Sequence, residues 1–364
     1  MNDRKLKIGI SQGDINGIGL EVILKTFSNP AMFELCTPII YGSPKVTAYH
    51  RKSCNISTNF SIINSVSECT DNTLSVLNCV DDEVRVEFAQ ADRDAGKSAF
   101  MALERAVEDL GKREIDVLVT APINKEVIHS KEFPFMGHTE YIEERLGKGR
   151  KSLMLLLKDD FRMALATNHI PISQIAETLT LELLEEKIRI LNESLKFDFG
   201  IERPRIAVLA LNPHAGDGGL IGEEEKNVII PAIKNMSERG VLCYGPYPAD
   251  GFMGAGTFSH FDAILAMYHD QGLAPFKALF MDEGVNFTAG LPVVRTSPAH
   301  GVAYDIAGKG MASEDSFRQA VYTAIDIYRN REQERESRRR PLRKQYYDHR
   351  DDSDQLKLDS VDDE

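Results

Sequence analysis

The sequence lacks the features that mark secreted, membrane-bound and thiol-based proteins. Its five cysteines are odd in number and form no C-x-x-C pair, which argues against a disulfide framework and against a thiolate-ligated zinc site. No stretch approaches the roughly 20 consecutive apolar residues that a membrane-spanning helix needs. The polar first residues show no signal peptide. We therefore expect a cytoplasmic protein without a membrane partner.

An excess of positive charge is also missing. The chain has 43 Lys and Arg against 56 Asp and Glu, a formal net charge of -13. This balance argues against a general nucleic-acid binder, which needs a basic face. It leaves an anionic substrate open, because a pocket can be locally positive on an acidic protein.

Short apolar runs alternate with longer helical patterns, which predicts an α/β fold with mainly parallel strands. Strands are predicted at 7–11, 38–41, 115–120, 161–166, 205–211, 263–267 and 278–280. Helices are predicted at 20–27, 96–110, 138–146, 172–196, 223–236 and 313–328. Residues 52–86 give only weak patterns. Beyond Arg329 the chain becomes densely charged, which predicts a helical extension that frays into disorder.

Three histidines are the most informative residues. His169, His214 and His269 each lie two or three residues beyond a predicted buried strand. In open α/β sheets the carboxyl ends of the strands border the crevice in which ligands bind. Three neutral imidazoles that met there would suit a divalent ion such as zinc or cobalt. Spacing alone also allows three ordinary loop histidines, because no H-E-x-x-H motif is present.

Two aspartates lie close to these histidines along the chain. Asp270 adjoins His269, and Asp250 lies in the turn-like segment PADG at 248–251. A carboxylate beside a metal-bound imidazole can orient the ring or accept a proton. Either aspartate could instead be a simple turn or N-cap residue.

A second group of residues favours an anionic ligand. His138 and Thr139 open a helical pattern, and free backbone N–H groups at a helix N-terminus attract phosphate or carboxylate. Thr139 could equally be an N-cap. Lys277, Asn286 and Arg295 occur in loop-like contexts and could form charge-assisted hydrogen bonds to a phosphate.

The glycines at 13–19 do not predict a Rossmann nucleotide site. The segment GDINGIG has the spacing G-x-x-x-G-x-G instead of G-x-G-x-x-G. The Gly- and Pro-rich segment 290–309, which contains His300 and Asp305, could cover a bound cofactor or could simply connect two lobes.

Seven stretches occur in a recognisable order. They are GISQGDINGIGLE at 9–21, VTAPINKEVI at 119–128, GHTEY at 137–141, NHIP at 168–171, LNPHAGDGGLIGEEE at 211–225, YHDQGLAPFK at 268–277 and VNFTAGLPVVRTSPAHGVAYDIAGKG at 285–310. On these motifs the chain resembles the 4-hydroxythreonine-4-phosphate dehydrogenase family of vitamin B6 biosynthesis. Ile15 and Leu20 stand where that family often has proline.

The resemblance implies a fold like that of the isocitrate and isopropylmalate dehydrogenases, with two α/β/α lobes around a central cleft. Residues 1–130 and 303–330 would form the first lobe, 131–302 the second lobe with the dimer interface, and 331–364 a charged, disordered tail. Family members are homodimers whose active site lies at the subunit interface. Their relatives bind a nicotinamide cofactor without the Rossmann fingerprint, which agrees with the glycine spacing at 13–19.

The resemblance also implies an activity. The enzyme would use NAD or NADP and a divalent metal (zinc, cobalt, magnesium or manganese) to oxidise 4-phosphohydroxy-L-threonine to 2-amino-3-oxo-4-phosphooxybutanoate. That product loses CO₂ to give 3-amino-2-oxopropyl phosphate, in pyridoxal phosphate biosynthesis. The family's metal ligands fall on His169, His214 and His269, and its substrate-binding positions on His138, Thr139, Lys277, Asn286 and Arg295. The proton acceptor would be Asp250, Asp270 or Lys277.

Three other functions stay open at this point. A dehydrogenase of threonate or erythronate 4-phosphate would share the metal and phosphate groups. A metal-dependent hydrolase would use the same histidines on water and would need no nicotinamide. A non-catalytic protein would recruit a partner through its charged tail.

Overall fold

The computed structural model describes residues 4–81 and 84–339. Its strands are β1 (Leu6–Ser11), β2 (Cys36–Gly42), β3 (Phe60–Ile63), β4 (Leu74–Asn78), β5 (Val117–Thr120), β6 (Leu153–Lys158), β7 (Phe161–Leu165), β8 (Arg205–Leu209), β9 (Leu242–Tyr247), β10 (Ala263–Ala266), β11 (Val285–Ala289) and β12 (Arg295–Pro298). Its α-helices are α1 (Gly19–Thr26), α2 (Met32–Leu35), α3 (Pro44–Ser53), α4 (Arg93–Gly111), α5 (Lys125–Ile128), α6 (His138–Leu146), α7 (Ile175–Thr178), α8 (Leu181–Phe197), α9 (Ile230–Glu238), α10 (Ala249–Gly254), α11 (His269–Phe280) and α12 (Asp315–Arg339).

The strands form one 12-stranded sheet in the order β3-β4-β2-β1-β5-β12-β11-β6-β7-β10-β8-β9. The block from β3 to β12 is parallel throughout, and so is the block from β7 to β9. Antiparallel pairing occurs only where β12, β11, β6 and β7 meet in the centre of the sheet. The predicted α/β class with mainly parallel strands is confirmed.

Helices cover the sheet because each of the longer ones has an apolar face. In α4 the buried residues recur at helical spacing, as at Ala99, Leu103, Ala106 and Leu110. The N-terminus of α4 is capped by Asp92, whose side chain accepts a hydrogen bond from the backbone N–H of Ala95. The same kind of cap starts α8, where Thr180 accepts from Leu183. This cap divides the predicted helix 172–196 into shorter pieces.

The predicted strand at 278–280 is wrong, because these residues end α11. A short apolar run does not distinguish a strand from a buried helical segment. Here Phe276 and Phe280 are four residues apart on the helix, and both rings contact Phe161 of β7. The sequence patterns also missed β6, β9, β11 and β12. β3 and β4 lie in segment 52–86, whose weak patterns predict loops and short strands.

The position of β12 bears on the division into lobes. This strand lies in the part of the chain expected in the second lobe, yet it pairs in parallel with β5 and antiparallel with β11. It therefore stands between the two parallel blocks. The expected lobe boundaries, and the likeness to isocitrate and isopropylmalate dehydrogenases, stay predictions.

The charged extension begins as ordered helix. α12 continues to Arg339, so residues 331–339 are helical. The rest of the expected disordered tail, from residue 340 onward, lies outside the described residues. In the part of the chain that the structure describes, no helix is both long and apolar enough to span a membrane.

A buried histidine is expected to make this fold sensitive to acid. His50 on α3 is 0% exposed, and its Nε2 donates a hydrogen bond to the backbone oxygen of Ile15 at 2.7 Å. Its Nδ1 has no hydrogen-bond partner among the residues that the structure describes. Burial lowers the pKa of His50 from 6.5 to about 4, although the bond to Ile15 and the charge of Glu21 oppose the shift.

We expect His50→Gln to reduce the loss of stability in acid. His50 binds a proton more readily in the unfolded chain than in the folded protein, so acid favours unfolding. The stability that neutral His50 allows is therefore fully present above pH 6.5 and is lost as pH falls from 6.5 to about 4. That shift corresponds to about 3 kcal/mol in the free energy of unfolding. Urea unfolding at pH 7 and pH 4 measures the difference, with His260→Gln at an exposed position as control. Equal acid losses in all three proteins would contradict the role of His50.

Candidate active site

Three neighbouring parallel strands lead to the three histidines of interest. β7, β10 and β8 are adjacent in the sheet, and their carboxyl ends lie at one edge. His169 follows β7, His269 begins α11 directly after β10, and His214 follows β8. The sheet thus brings the three histidines to the same edge, as their spacing predicts.

His169 and His269 lie next to each other. Their ring centroids are 5.6 Å apart. The strand ends that carry them are joined by Thr167, whose backbone N–H and side-chain hydroxyl both donate to the carbonyl oxygen of Met267, at 3.2 and 2.8 Å. The Nδ1 of His269 donates to Oδ1 of Asp270 at 2.7 Å, and in the neutral imidazole this bond leaves the lone pair on Nε2.

His169 contacts two charged residues that the sequence patterns did not single out. Nζ of Lys125 lies 3.0 Å from its Nε2, and Oε1 of Glu140 lies 3.6 Å from its Nδ1. An ammonium group can only donate, so Nε2 is the acceptor and the ring proton is on Nδ1, facing Glu140. Lys125 and Glu140 belong to the motifs VTAPINKEVI and GHTEY, and those motifs were the available signal.

His214 lies in an exposed turn with an unusual backbone. Residues 214 to 218 have φ angles of 53, 54, 76, 44 and 67°, all in the left-handed region. Glu225 holds the start of this turn, because its Oε1 accepts from the backbone N–H groups of Leu211 and Asn212, both at 2.8 Å. Within residues 4–81 and 84–339, no three His, Cys, Asp or Glu side chains are grouped so as to hold an ion. Convergence of His214 with the other two histidines stays a prediction.

Arg295 forms a buried positive site at the centre of the sheet. It is 3% exposed at the start of β12. Its Nε and Nη2 donate to Oγ1 of Thr120 at 3.1 and 2.6 Å, and its Nη1 donates to Oγ1 of Thr288 at 3.3 Å. Burial lowers the pKa of Arg295 to about 10, although the charge of Glu140 opposes the shift. The guanidinium therefore stays charged near neutral pH without forming an ion pair to any described carboxylate.

The first turn of α6 lies beside this guanidinium. His138 is buried, and its Nε2 has no hydrogen-bond partner within residues 4–81 and 84–339. Burial, with the nearby charges of Arg295 and Lys125, holds the pKa of His138 well below its ordinary value, so the ring is neutral. Oγ1 of Thr139 lies 3.5 Å from Oγ1 of Thr288. The N-cap of α6 is Gly137, without a side-chain cap, so the N-cap alternative for Thr139 is wrong.

The remaining candidate residues are less closely connected to this pocket. Asn286 lies on β11 and Lys277 on α11, so the expectation of loop contexts for Lys277, Asn286 and Arg295 is wrong. Oδ1 of Asn286 is buried, and no described residue forms a hydrogen bond with it. Asp250 is exposed on α10, and the carboxylate of Asp270 is 79% exposed. No hydrogen bond within the described residues joins Asn286, Lys277 or Asp250 to Arg295.

Part of segment 290–309 covers the glycine-rich turn at 13–19. The hydroxyl of Tyr304 donates to Oδ2 of Asp14 at 2.6 Å and accepts from Nδ2 of Asn124 at 3.0 Å. Burial raises the pKa of Asp14, although the hydrogen bonds from the hydroxyl of Tyr304 and the backbone N–H of Asn16 oppose the shift. In the same segment, Nδ1 of His300 donates to the backbone oxygen of Gly301 at 2.9 Å, while its buried Nε2 has no partner in the described part of the chain.

Comparisons with known proteins agree on one family. The family model described as pyridoxal phosphate biosynthetic protein PdxA matches residues 34–324, which include every candidate site residue. A relative from Bacteroides thetaiotaomicron named 4-hydroxythreonine-4-phosphate dehydrogenase is 68% identical over 100% of both chains. A relative from Oceanobacillus iheyensis, provisionally named D-threonate 4-phosphate dehydrogenase, is 35% identical over 89% of this chain and 98% of its own.

A solved structure extends this agreement to the fold. The 4-hydroxythreonine-4-phosphate dehydrogenase from Klebsiella pneumoniae matches with a TM-score of 0.77 and 32% identity, over 90% of this chain and 99% of its own. The chain belongs to the pyridoxal phosphate biosynthetic protein PdxA family.

Proposed function

We propose that this chain is an NAD- or NADP-dependent dehydrogenase that oxidises 4-phosphohydroxy-L-threonine at C3. The product, 2-amino-3-oxo-4-phosphooxybutanoate, is a β-keto acid and loses CO₂ to give 3-amino-2-oxopropyl phosphate. The 68% identity to the Bacteroides thetaiotaomicron enzyme supports this activity. The observation that carries it is the buried guanidinium of Arg295, whose hydrogen-bond partners among the described residues are the hydroxyls of Thr120 and Thr288.

A phosphate ester is the ligand that this pocket suits. Burying a charge without a counterion is costly, so an unpaired buried guanidinium favours an anion. The guanidinium can bind two phosphate oxygens at once. His138 and Thr139 add neutral hydrogen-bonding groups at the start of α6, where free backbone N–H groups also favour an anion. Lys277 and Asn286 would bind the rest of the substrate and so fix the position of C3.

The histidines suit a divalent ion by their chemistry. In both His169 and His269, Nδ1 faces a carboxylate and Nε2 is the electron-pair donor, an arrangement common around protein-bound metals. The Nε2 of His169 accepts from Nζ of Lys125 at 3.0 Å, so the ammonium of Lys125 would have to move aside for this nitrogen to bind an ion. His214 would supply the third nitrogen from its exposed turn. When bound, zinc, cobalt, magnesium or manganese would act as a Lewis acid on the substrate's C3 hydroxyl. Asp270 then acts chiefly to orient His269.

The remaining steps need a hydride acceptor and a proton acceptor. When bound, NAD⁺ or NADP⁺ would accept the hydride, and segment 290–309 is the proposed cofactor loop, supported by the unpartnered Nε2 of His300. The proton would pass to Asp250, Asp270 or Lys277. We propose a cytoplasmic homodimer whose partner subunit completes the site, because His214 and Asp250 are exposed in the single chain.

A substrate comparison tests this proposal. We expect a higher kcat/KM for 4-phosphohydroxy-L-threonine than for D-threonate or D-erythronate 4-phosphate, measured as NADH or NADPH formation. Thorough chelation should abolish turnover, and adding back single ions should identify those that restore it. A preference for the sugar-acid phosphates would support the alternative suggested by the Oceanobacillus iheyensis relative. Phosphate release without nicotinamide would indicate a hydrolase.

A further inference from the structure

One arginine of the charged extension contacts the interior of the protein. Arg331 lies on α12, beyond residue 324, where the family model's match ends. Its side chain is only 14% exposed, and its Nε lies 2.5 Å from Oδ1 of Asp198, whose side chain is 4% exposed. Its Nη1 donates to two backbone oxygens, those of Leu291 and Val293, both at 3.1 Å. One guanidinium therefore joins the end of α8 to the segment 291–293.

Segment 291–293 connects Thr288 and Arg295. Both belong to what we call the anion pocket, the proposed phosphate site formed by Arg295, Thr120, Thr288, His138 and Thr139. The segment runs from β11, which carries Thr288, to β12, which begins with Arg295. The next residue along, Val294, accepts a hydrogen bond from the N–H of Leu118 on β5 at 3.0 Å. Leu291 is buried in the same apolar cluster as residues of α6, the helix that carries His138. A shift of this segment would thus move the guanidinium of Arg295 relative to the rest of the pocket.

We infer that Arg331 is a positioning residue for the substrate's phosphate: it fixes segment 291–293 and thereby the place of Arg295. The inference rests on the proposed function in one respect, since it takes Arg295 as the phosphate-binding group. Asp198, the carboxylate that Arg331 contacts, is itself fixed by two further hydrogen bonds. Oδ2 of Asp198 accepts from the hydroxyl of Ser194 at 2.6 Å, and its backbone oxygen accepts from Nδ2 of Asn330 at 2.7 Å.

The geometry requires an arginine. Its planar fork bonds a carboxylate through Nε and two carbonyl oxygens through Nη1 at the same time. Lysine could keep the ion pair with Asp198, but a single ammonium would not reach all three acceptors in the same way. Removing the fork leaves two backbone oxygens to be satisfied by water, which loosens the segment.

Direct phosphate binding provides the test. We expect Arg331→Ala to raise the Kd for inorganic phosphate, measured by calorimetry on the full-length protein, by about tenfold, as the loss of one charge-assisted hydrogen bond would. The KM for 4-phosphohydroxy-L-threonine should rise by a similar factor, while kcat and the KM for the nicotinamide stay within about threefold of wild type. Arg335→Ala is the matched control, because Arg335 lies one turn further on α12 and pairs with Glu332 at the surface.

The outcomes separate this inference from the proposed function. An unchanged phosphate Kd in folded Arg331→Ala, or an equal effect in Arg335→Ala, would overturn it. So would an equal rise in the nicotinamide KM, which indicates a general structural defect. If the alanine variant does not fold, Arg331→Lys keeps the ion pair, and an unchanged phosphate Kd there also refutes the inference. Wild-type protein that binds phosphate but does not oxidise 4-phosphohydroxy-L-threonine would refute the proposed function instead.

Discussion

Arg295→Met is expected to lower kcat/KM about 1000-fold while leaving the folded protein at least as stable as the wild type. The loss follows from the charge-assisted hydrogen bonds to phosphate, each worth roughly 1.5–3 kcal/mol. Two such bonds correspond to a factor of about 100 to 20 000. Thr120 and Thr288 offer only hydroxyls and cannot replace the positive charge.

The stability of this variant distinguishes a binding role from a structural one. The drop in the pKa of Arg295 from 12.5 to about 10 shows that the buried site disfavours the charge, by about 3 kcal/mol in order of magnitude. Methionine has a similar shape and no charge, and replacing buried charges with apolar residues is often neutral or stabilising. If Arg295 instead served to stabilise the fold, replacing it with methionine would lower the melting temperature.

Thermal unfolding with and without phosphate measures both the stability of Arg295→Met and its ability to bind phosphate. Phosphate should raise the Tm of the wild type, because a ligand that binds only the folded state stabilises it, and should leave the Tm of Arg295→Met unchanged. Arg189→Met is the control, because Arg189 is a half-exposed residue paired with Glu193. Activity within tenfold of wild type, or a phosphate-dependent Tm in Arg295→Met, would contradict the assignment of Arg295 as the anion-binding group.

The sequence predicted those parts of the site that depend on local pattern. Apolar runs marked β7, β8 and β10, and because parallel strands end at one edge, His169, His214 and His269 could be assigned to that edge. The first turn of α6 was predicted with the bounds that the structure gives. In these cases the information lies within about ten residues of the side chain concerned.

The remaining parts depend on contacts between distant segments. Arg295 and Thr120 are 175 positions apart in the chain, and no local pattern reports their contact. β12 has four residues and ends in proline, so its sequence resembles a loop although it lies in the middle of the sheet. Arg331 falls in a stretch whose composition suggested a solvated extension, yet it bonds to buried Asp198. Composition describes a segment's average, and one interior contact does not change that average.

His214→Asn is expected to lower turnover by at least about 100-fold with little change in stability. If His214 is a metal ligand, removing it should lower activity by more than the 10- to 100-fold that is typical when a residue that only supports a ligand is removed. Asparagine is chosen because it tolerates the left-handed backbone that His214 adopts, with φ of 53°. The residue is exposed and the side chain of His214 forms no hydrogen bond within the described residues, so packing should not suffer.

The metal content of the purified protein shows whether low turnover in His214→Asn comes from the loss of a metal ligand. We expect His214→Asn to hold less divalent ion than the wild type at equal free ion concentration, and saturating ion should restore part of the activity. His260→Asn is the matched control, since His260 is also exposed but ends the short turn 257–260, away from the edge formed by β7, β10 and β8. Wild-type turnover and metal content in His214→Asn would remove the third nitrogen from the proposed site. The ion would then rest on His169 and His269 alone, and the Lewis-acid chemistry would need a different ligand set.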